Sequence, residues 1–353
     1  MNKEIDNSTA SSAVDDPTAD ARKRDHIELA FQSQVNRNQL DQRFYYEPVL
    51  AAHPTTSDSL DLSFLGKKMR LPLWVSSMTG GTSLARTINR NLARACKDFG
   101  MGMGLGSCRS LLFDDEYLAD FDVRSILGEE QLLFANLGIA QIEQLIDTNN
   151  LVLINQLVDK LQADGLIIHI NPFQEWLQPE GDRFTRAPLD TIRRVLDAVK
   201  VPLIVKEVGQ GMGYESLKAL YQLPLAAVEF AANGGTNFAK LELLRSDPLK
   251  QQIFQQLAYV GHSADEMVEF SNRIKNELGD KMRCKEVIIS GGVKNFLDGY
   301  YLINKLALSS VYGQASSFLK YAREGYEPLY QYIDSQKQGL ALAQQFLRVK
   351  NSL

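Results

Sequence analysis

The segment LIIHINPFQEWLQPEGDRF, residues 166–184, begins as an apolar strand and then presents a dense run of polar side chains. His169 and Asn171 are two positions apart, so an extended chain projects them from one face. The next residue is a proline, which cannot donate a hydrogen bond to a sheet and therefore ends the strand. Gln174 and Glu175 then belong to the loop that follows. A buried strand that ends in polar groups is typical of a parallel sheet whose strand ends form a site.

Seven other segments share this character, because each is short and rich in Val, Ile, Leu or small residues. Helical periodicity occupies most of the intervals, for example residues 84–99, 141–162, 189–199 and 296–308. Strands that alternate with helices predict a parallel sheet with crossover connections. In chain order, the eight predicted strands lie in LPLWVSSMTGG, GMGMGLGSC, QLLFANLG, GLIIHINPF, VPLIVKEVGQG, LAAVEFAANGG, EVIISGG and SSVYGQASS.

Eight such units, spaced by roughly thirty residues, predict an α/β fold of the TIM (β/α)8 barrel type. The interval between the sixth and seventh strands is about twice as long. It contains LKQQIFQQLAYV and ADEMVEFSNRIKNELG, which indicate two helices, so we expect a helical insertion over residues 237–285. An open doubly wound sheet is the alternative. It is disfavoured because no GxGxxG motif follows the first strand and the strand-end glycines are spread along the whole chain.

Composition excludes several classes of protein. The chain has 353 residues, 44% of them hydrophobic, and a formal net charge of −5, which allows a large core and argues against general nucleic-acid binding. No apolar run reaches membrane-spanning length. We expect a cytoplasmic protein. Cys96, Cys108 and Cys284 are widely spaced and form no CxxC pair, so they predict neither a disulfide framework nor a zinc site.

The expected organisation is one barrel domain with a tail at each end. Residues 1–21 have no apolar core and no positive start, so they predict a disordered tail rather than a signal peptide. The domain covers residues 22–345, of which 22–70 form an arm and a lead-in to the first strand. Residues 346–353 form a C-terminal tail.

Two predicted strand ends are suited to holding a phosphate. The sequences SGGV and YGQASS end the seventh and eighth strands, where backbone N–H groups commonly bind phosphate in this fold. Gly291 and Gly292 let the backbone approach a ligand closely, although turn glycines have the same appearance. Ser316 and Ser317 add hydroxyl donors, and Thr236 follows a further glycine pair after the sixth strand.

Two groups of cations have alternative interpretations. Lys206 lies in the middle of an apolar strand, and a buried lysine must be paired or neutral. It therefore either pairs with a carboxylate or faces a cofactor that develops negative charge, such as the N1 edge of a reduced flavin. The segment ARKRDHIELAF, residues 21–31, is either a solvated helix start or a mobile basic arm that closes over an anionic substrate. Arg109, after the second strand, offers a further cation.

Eight motifs follow one another along the chain: RKRDHI, SSMTGGT, GLGSCR, NLG, HINPFQEWLQPEGDRF, VKEVGQGM, GGTNFAKLE and SGGV. In these motifs and their order, the chain resembles the type 2 isopentenyl diphosphate isomerases, which are FMN-dependent TIM-barrel enzymes, over residues 22–320. It implies isomerisation of isopentenyl diphosphate to dimethylallyl diphosphate in isoprene biosynthesis. It also implies reduced FMN, Mg²⁺, NADPH as the flavin reductant, and a homo-oligomer of four or more subunits.

Matched positions imply a role for each motif residue. Arg22, Lys23 and Arg109 would bind the diphosphate, and His169, Asn171 and Gln174 would face the substrate as catalytic residues. Glu175 would ligate the Mg²⁺. The residues implied to line the flavin are Ser77, Met78, Thr79, Ser107, Asn136, Lys206 and Thr236, and those implied to hold its phosphate are Gly291, Gly292, Ala315 and Ser316.

The chemistry of the double-bond shift favours the flavin as the acid–base group. One proton must be added at C4 of the substrate and another removed from C2. An amide such as Gln174 is a poor acid or base, and Glu175 would be committed to the metal. We therefore expect reduced flavin to exchange the protons, with Lys206 stabilising its N1 edge while Gln174 and His169 orient substrate and water.

Two other functions remain as alternatives. An FMN-dependent 2-hydroxy acid oxidase has the same barrel but needs a histidine base beside a substrate-binding arginine near the seventh strand. The segment KNELGDKMRCKEVIIS, residues 275–290, contains no histidine, and His262 lies well upstream. A flavin-binding or phosphate-binding barrel without catalysis is the second alternative.

Overall fold

The structure is a computed structural model, and it describes residues 18–55, 58–77 and 83–350. It divides into two compact units, Met1–Phe44 and Tyr45–Leu353. No helix of the described ranges is long and apolar enough to cross a membrane.

The first unit contains the basic segment. Its described elements are the helix Ala19–Leu29 and the 3-10 helix Arg37–Gln39, and neither has a buried residue. Arg22 and Lys23 lie inside the helix, whereas the sequence places them just before a helical run. The helix also includes the last part of the segment predicted to be a tail, whose first seventeen residues lie outside the described ranges.

Eight parallel strands of the second unit close into a barrel, which confirms the predicted TIM (β/α)8 fold. Each strand pairs with its successor, and the eighth pairs with the first through Tyr312 opposite Leu73. Nearly all strand residues are buried, because one face of each strand fills the barrel and the other packs under helices. The strands are β1 (Leu73–Val75), β2 (Gly102–Gly104), β3 (Leu133–Gly138), β4 (Gly165–His169), β5 (Leu203–Lys206), β6 (Ala227–Glu229), β7 (Glu286–Ser290) and β8 (Ser309–Gln314).

The inside of the barrel changes from apolar to polar along the strands. Phe64 and Met69 come from the hairpin that precedes β1. They pack against the apolar residues inside the barrel, at the end opposite the carboxyl ends of the strands. Gly102 leaves room for the Trp74 indole, since a Cβ there would lie 2.3 Å from the ring. The apolar filling consists of Trp74, Phe134, Ile167, Ile204, Ala227, Ile288 and Val311. Two residues further along, the same faces carry what we call the mouth residues: Ser76, Gly104, Asn136, His169, Lys206, Glu229, Ser290 and Gly313.

Helices surround the barrel close to their predicted positions. The interval 141–162 differs, because Asn149 adopts a left-handed φ of 57° and divides it into two helices. The α-helices of the second unit are Ser83–Phe99, Leu118–Phe121, Arg124–Leu127, Ile139–Asp147, Val152–Lys160, Pro172–Leu177, Pro188–Ala198, Tyr214–Tyr221, Phe238–Arg245, Pro248–Phe254, Ala264–Leu278, Phe296–Lys305, Ser316–Glu324 and Tyr326–Phe346. The 3-10 helices are Arg109–Leu112, Gln255–Tyr259 and Gly279–Lys281, and the short strands outside the barrel are Phe44–Tyr46, Leu62–Phe64, Lys67–Met69 and Leu347–Val349.

The predicted helical insertion between β6 and β7 is confirmed, with one change in its composition. Helix Ala264–Leu278 is part of the regular outer ring, because it packs between the helices that follow β5 and β7. Ser271 Oγ lies 2.7 Å from the Tyr221 hydroxyl, and Asn272 Nδ2 donates to the Lys305 carbonyl at 2.9 Å. The added elements are therefore Phe238–Arg245, Pro248–Phe254 and Gln255–Tyr259.

All three cysteines are free and buried. Burial raises the pKa of Cys108 to about 12, so its thiol stays protonated near neutral pH and is a poor nucleophile. All three side chains belong to the packed hydrophobic core.

Candidate active site

A cavity of about 440 Å³ opens at the carboxyl ends of the barrel strands. Every mouth residue except Gly104 lines it, and residues at or after the ends of seven strands, all but β3, complete its wall. These further residues are Ser77, Gly106, Ser107, Gln174, Val208, Gly209, Ala231, Ala232, Gly234, Gly235, Thr236, Phe238, Gly291, Gly292, Val293, Lys294, Gln314, Ala315, Ser316 and Ser317.

His169 is held as a neutral imidazole of defined tautomer. Asn136 Nδ2 donates to the Leu105 carbonyl at 3.0 Å and to Ser77 Oγ at 2.9 Å, so the other amide atom, Oδ1, faces His169. His169 Nδ1 lies 2.8 Å from that oxygen and therefore carries the ring proton. Burial and the positive charge of Lys206 lower the pKa of His169 to about 3. The ring is thus an acceptor at Nε2 and does not supply a proton near neutral pH.

Lys206 pairs with a carboxylate, which confirms the first of its two sequence interpretations, and it also lines the cavity. Its Nζ lies 3.4 Å from Glu229 Oε1, and both side chains are at least nine-tenths buried. Strand register places Lys206 beside His169 on one side and beside Glu229 on the other. Ser290 Oγ donates to Glu229 Oε1 at 3.0 Å. The charged groups of the mouth therefore form one compact pair.

The ends of β6, β7 and β8 expose backbone to the cavity. We call this surface the cradle, and it consists of Gly234, Gly235, Gly291, Gly292, Ala315 and Ser316. A Cβ on Gly291 would lie 2.1 Å from the Ala232 carbonyl oxygen, and the φ of Gly291 is 89°. Gly234 also lies near Gly292, since a Cβ added to Gly234 would lie 3.1 Å from the Gly292 Cα. Next to the cradle, helix Ser316–Glu324 begins at the cavity wall with N–H groups that have no partner within the helix. This arrangement suits an anion such as a phosphate.

The β4 loop, residues 170–187, holds its polar residues through one another. It includes the helix Pro172–Leu177, so the prediction that Gln174 and Glu175 lie in an irregular loop is wrong: the proline ends the strand and also begins a helix. Asn171 Nδ2 donates to Glu175 Oε1 at 3.0 Å and to Gln174 Oε1 at 3.1 Å, and the Asp182 N–H donates to Glu175 Oε2 at 2.7 Å. Gly181 passes so close that a Cβ there would lie 1.9 Å from the Glu175 carbonyl oxygen. The loop therefore presents Gln174 to the cavity and keeps Glu175 just behind it.

Arg109 reaches the same loop. Its Nη1 donates to Asp182 Oδ2 at 2.7 Å, and Gln141 Nε2 donates to the same oxygen at 2.9 Å. Arg109 is half-exposed, whereas the carboxyl of Asp182 is only 19% exposed. Asp182 thus fixes a cation at the edge of the β4 loop, a supporting contact that its sequence position alone does not specify.

The structure brings most of the predicted site residues to one cavity. Asn171, Glu175 and Arg109 lie beside it without lining it. Arg22 and Lys23 belong to the other unit, and Met78 and Thr79 lie outside the described residues. The predicted residues that line the cavity are Ser77, Ser107, Asn136, His169, Gln174, Lys206, Thr236, Gly291, Gly292, Ala315 and Ser316.

The sequence motifs did not identify three polar mouth residues as site residues. Ser76, Glu229 and Ser290 all line the cavity and are at most 3% exposed. A glutamate within the apolar run LAAVEFAA is a signal of the same kind as Lys206 in LIVKEV, because each is a charge in a buried strand.

Comparison with curated proteins identifies the family. The chain is 32% identical to the isopentenyl-diphosphate delta-isomerase of Rickettsia africae over 305 residues, which are 85% of each chain. It is 33% identical over the same share to the protein of that name from Rickettsia felis. The chain belongs to the isopentenyl-diphosphate delta-isomerase family. The resemblance to this isomerase family in the sequence motifs is thereby confirmed.

Solved structures show the fold of this isomerase-family chain independently of sequence similarity. A mandelate oxidase mutant with an FMN adduct matches with a TM-score of 0.54 at 14% identity, over 88% of this chain and 89% of the other. A flavocytochrome b2 mutant with benzoylformate matches with a TM-score of 0.58 at 14% identity, over 92% and 85%. No family model matches the chain.

Proposed function

We propose that this protein isomerises isopentenyl diphosphate to dimethylallyl diphosphate, with reduced FMN as the acid–base group. The proposal is carried by one observation: in a chain of the isomerase family, a single cavity combines a phosphate cradle with a buried ammonium group. The cradle suits the phosphate of FMN, and the ammonium suits the electron-rich edge of its ring.

The residues present fit FMN. Gly291 and Gly292 line the cavity with bare backbone, because their Cβ positions are closely approached by the backbone of the β6 end, and helix Ser316–Glu324 begins at the same cavity wall. Two buried mouth atoms, Ser76 Oγ and Glu229 Oε2, have no hydrogen-bond partner within the described residues, as expected of a wall built for a polar ligand. When bound, reduced FMN would supply the group that gives a proton to the alkene and takes one from it. Ser77, Ser107, Asn136, Lys206 and Thr236 would hold the ring, and Gly291, Gly292, Ala315 and Ser316 the phosphate.

The side chains at the cavity favour this assignment of the proton chemistry. His169 is neutral and has its proton on Nδ1, where Asn136 accepts it, so Nε2 orients a ligand as an acceptor. Gln174 is an amide that positions without exchanging protons. The carboxylate that lines the described wall is Glu229, and Lys206 pairs with it. We propose that these residues bind and orient the ligands of the cavity, and we assign the proton transfers to the cofactor.

We propose that Mg²⁺ binds to Glu175 and to the substrate diphosphate together. Within the described residues no group of three or more His, Cys, Asp or Glu side chains is suited to a metal ion. Mg²⁺ commonly uses one or two carboxylates plus substrate phosphates, so a single carboxylate fits a shared site. Each oxygen of Glu175 accepts one hydrogen bond and keeps a further lone pair.

The remaining parts of the proposal concern charge and cellular setting. Arg109, and Arg22 and Lys23 of the first unit, would bind the diphosphate, because guanidinium and ammonium groups pair with phosphate oxygens. NADPH would serve only to reduce the flavin. We further propose a cytoplasmic homo-oligomer of four or more subunits.

A direct test compares two reactions in one preparation. Purified protein with FMN and Mg²⁺, reduced anaerobically, is expected to convert isopentenyl diphosphate to dimethylallyl diphosphate, and the oxidised protein is expected to be inactive. Oxygen consumption with lactate or glycolate would instead support the 2-hydroxy acid oxidase. That alternative is disfavoured because no arginine of the described chain lines the cavity beside His169. Bound FMN without either reaction would favour the non-catalytic barrel.

A further inference from the structure

The carboxylate of Glu229 is the most deeply buried charge at the mouth of the barrel. Its side chain has no solvent exposure, and it lies at the carboxyl end of β6. Burying a carboxylate costs several kcal/mol unless partners compensate it. A functional role would explain why an ionisable side chain is buried at this position, and the contacts of Glu229 indicate what that role is.

Both described contacts of Glu229 fall on one oxygen. Ser290 Oγ donates to Oε1 at 3.0 Å, and the Lys206 ammonium lies 3.4 Å from the same atom. The other oxygen, Oε2, has no hydrogen-bond partner within the described residues. The Ser290 hydroxyl itself accepts from the Ala231 N–H at 3.0 Å, so the backbone of the β6 end restrains the carboxylate.

The separation between Lys206 and Glu229 decides what the pair can do. Charge-assisted N–H to O hydrogen bonds measure about 2.7–2.9 Å, so 3.4 Å is an electrostatic contact rather than a tight bond. The ammonium keeps donors for the cavity that it lines, while the carboxylate lies to its side. His169, next to Lys206 in the register, is neutral. The charge that a ligand meets at this wall is therefore the balance of Lys206 and Glu229.

We propose that Glu229 is a positioning residue that holds the Lys206 ammonium at the cavity wall and weakens its field at the ligand. The inference rests on the proposed function, because the ligand that reports the field is reduced FMN. Glu229 would keep the pair electrically neutral and so limit how strongly the site stabilises the anionic form of the reduced flavin.

Replacement of the charge without change of shape tests this proposal. Reduced FMN bound to wild type and to Glu229→Gln is titrated anaerobically against pH, and the absorption spectrum reports the change from neutral to anionic reduced flavin. We expect the midpoint of Glu229→Gln to fall by about one pH unit or more, because an uncompensated cation remains beside the ring. Glu229→Asp keeps the charge and should titrate close to wild type.

Glu242→Gln is the matched control. Glu242 is also buried, at 2% exposure, but it pairs with Arg245 on the insertion and does not line the cavity. Its replacement should leave the flavin midpoint unchanged. A merely structural role of Glu229 would weaken FMN binding without moving the midpoint, so equal midpoints in wild type and Glu229→Gln overturn the proposal.

A double variant keeps the test decisive if Glu229→Gln does not retain FMN. Lys206→Met with Glu229→Gln removes both buried charges, whereas Lys206→Met alone would leave an unpaired buried carboxylate that takes up a proton. Because Lys206 and Glu229 offset each other under the proposal, the double variant should titrate within about half a pH unit of wild type. A midpoint of the double variant about one pH unit or more above wild type would show that Glu229 does not offset the ammonium, and would overturn the proposal. Failure of the wild-type protein to bind FMN would overturn the proposed function instead, whereas equal midpoints of wild type and Glu229→Gln in an active isomerase overturn this inference alone.

Discussion

Replacement of Gly291 by alanine is the sharpest perturbation of the proposed phosphate cradle. The added Cβ would lie 2.1 Å from the Ala232 carbonyl oxygen and 2.2 Å from its nitrogen, where ordinary contact begins at 3.4 Å. Both are backbone atoms, so the ends of β6 and β7 must separate by more than an ångström. The φ of 89° adds strain of about 1–2 kcal/mol for a residue with a side chain.

The separation also weakens the hydrogen bond from the Ala232 N–H to the Ser290 carbonyl, which measures 2.8 Å. Loss of one such bond costs about 0.5–1.5 kcal/mol, so the total penalty at the cradle is about 1.5–3.5 kcal/mol. If the cradle must keep its native shape to hold the phosphate, Gly291→Ala raises the dissociation constant of FMN by about 100-fold. Titration of apoprotein with FMN, followed by quenching of flavin fluorescence, measures this change.

Gly66→Ala is the matched control. Gly66 has a φ of 77° and no atom within 4 Å of its added Cβ, and it lies in the hairpin before β1. We expect a loss of about 1 kcal/mol in the free energy of unfolding, measured by denaturant titration of the apoprotein, with FMN affinity within about twofold of wild type. A Gly291→Ala protein that binds FMN as tightly as Gly66→Ala would contradict the assignment of the cradle.

Three other changes test the β4 strand and its loop. Because the pKa of His169 falls to about 3 in the folded protein from its ordinary 6.5, the unfolded chain takes up a proton first as the pH drops, and stability is lost between about pH 6.5 and 3. His169→Gln should flatten that part of the stability curve in denaturant titrations. Glu175→Gln should raise the Mg²⁺ concentration needed for half-maximal activity by about tenfold or more, while Glu180→Gln in the same loop should not. Gln174→Ala should lower turnover by about tenfold or more, and unchanged turnover would exclude a direct part for that side chain.

The barrel was accessible from sequence because each strand carries its own local signal. The lysine in LIVKEV is recognisable as a charge in a buried strand, but the sequence left open whether it pairs with a carboxylate or faces a cofactor. The helix Ala264–Leu278 shows the limit of local reasoning. Its periodicity is visible, but its place in the outer ring depends on contacts with helices that follow β5 and β7.

The sequence did not predict that Glu229 is the ion-pair partner of Lys206. Glu229 lies twenty-three positions further along the chain, and only the register between β5 and β6 brings the two side chains together. The same holds for Asp182, whose role depends on Arg109 and Gln141 arriving from other elements. Sequence patterns thus predict which residues turn inward, whereas the pairing among them is a property of the closed sheet.

Proton exchange under controlled flavin oxidation state tests the proposed reaction most directly. Isopentenyl diphosphate is incubated anaerobically in D₂O with Mg²⁺ and the FMN-loaded protein, and deuterium incorporation is followed by NMR. We expect deuterium to enter substrate and product only when the flavin is reduced, with no NADPH consumed per turnover once reduction is complete. Equal incorporation with the flavin held oxidised would contradict the assignment of the proton transfers to reduced FMN.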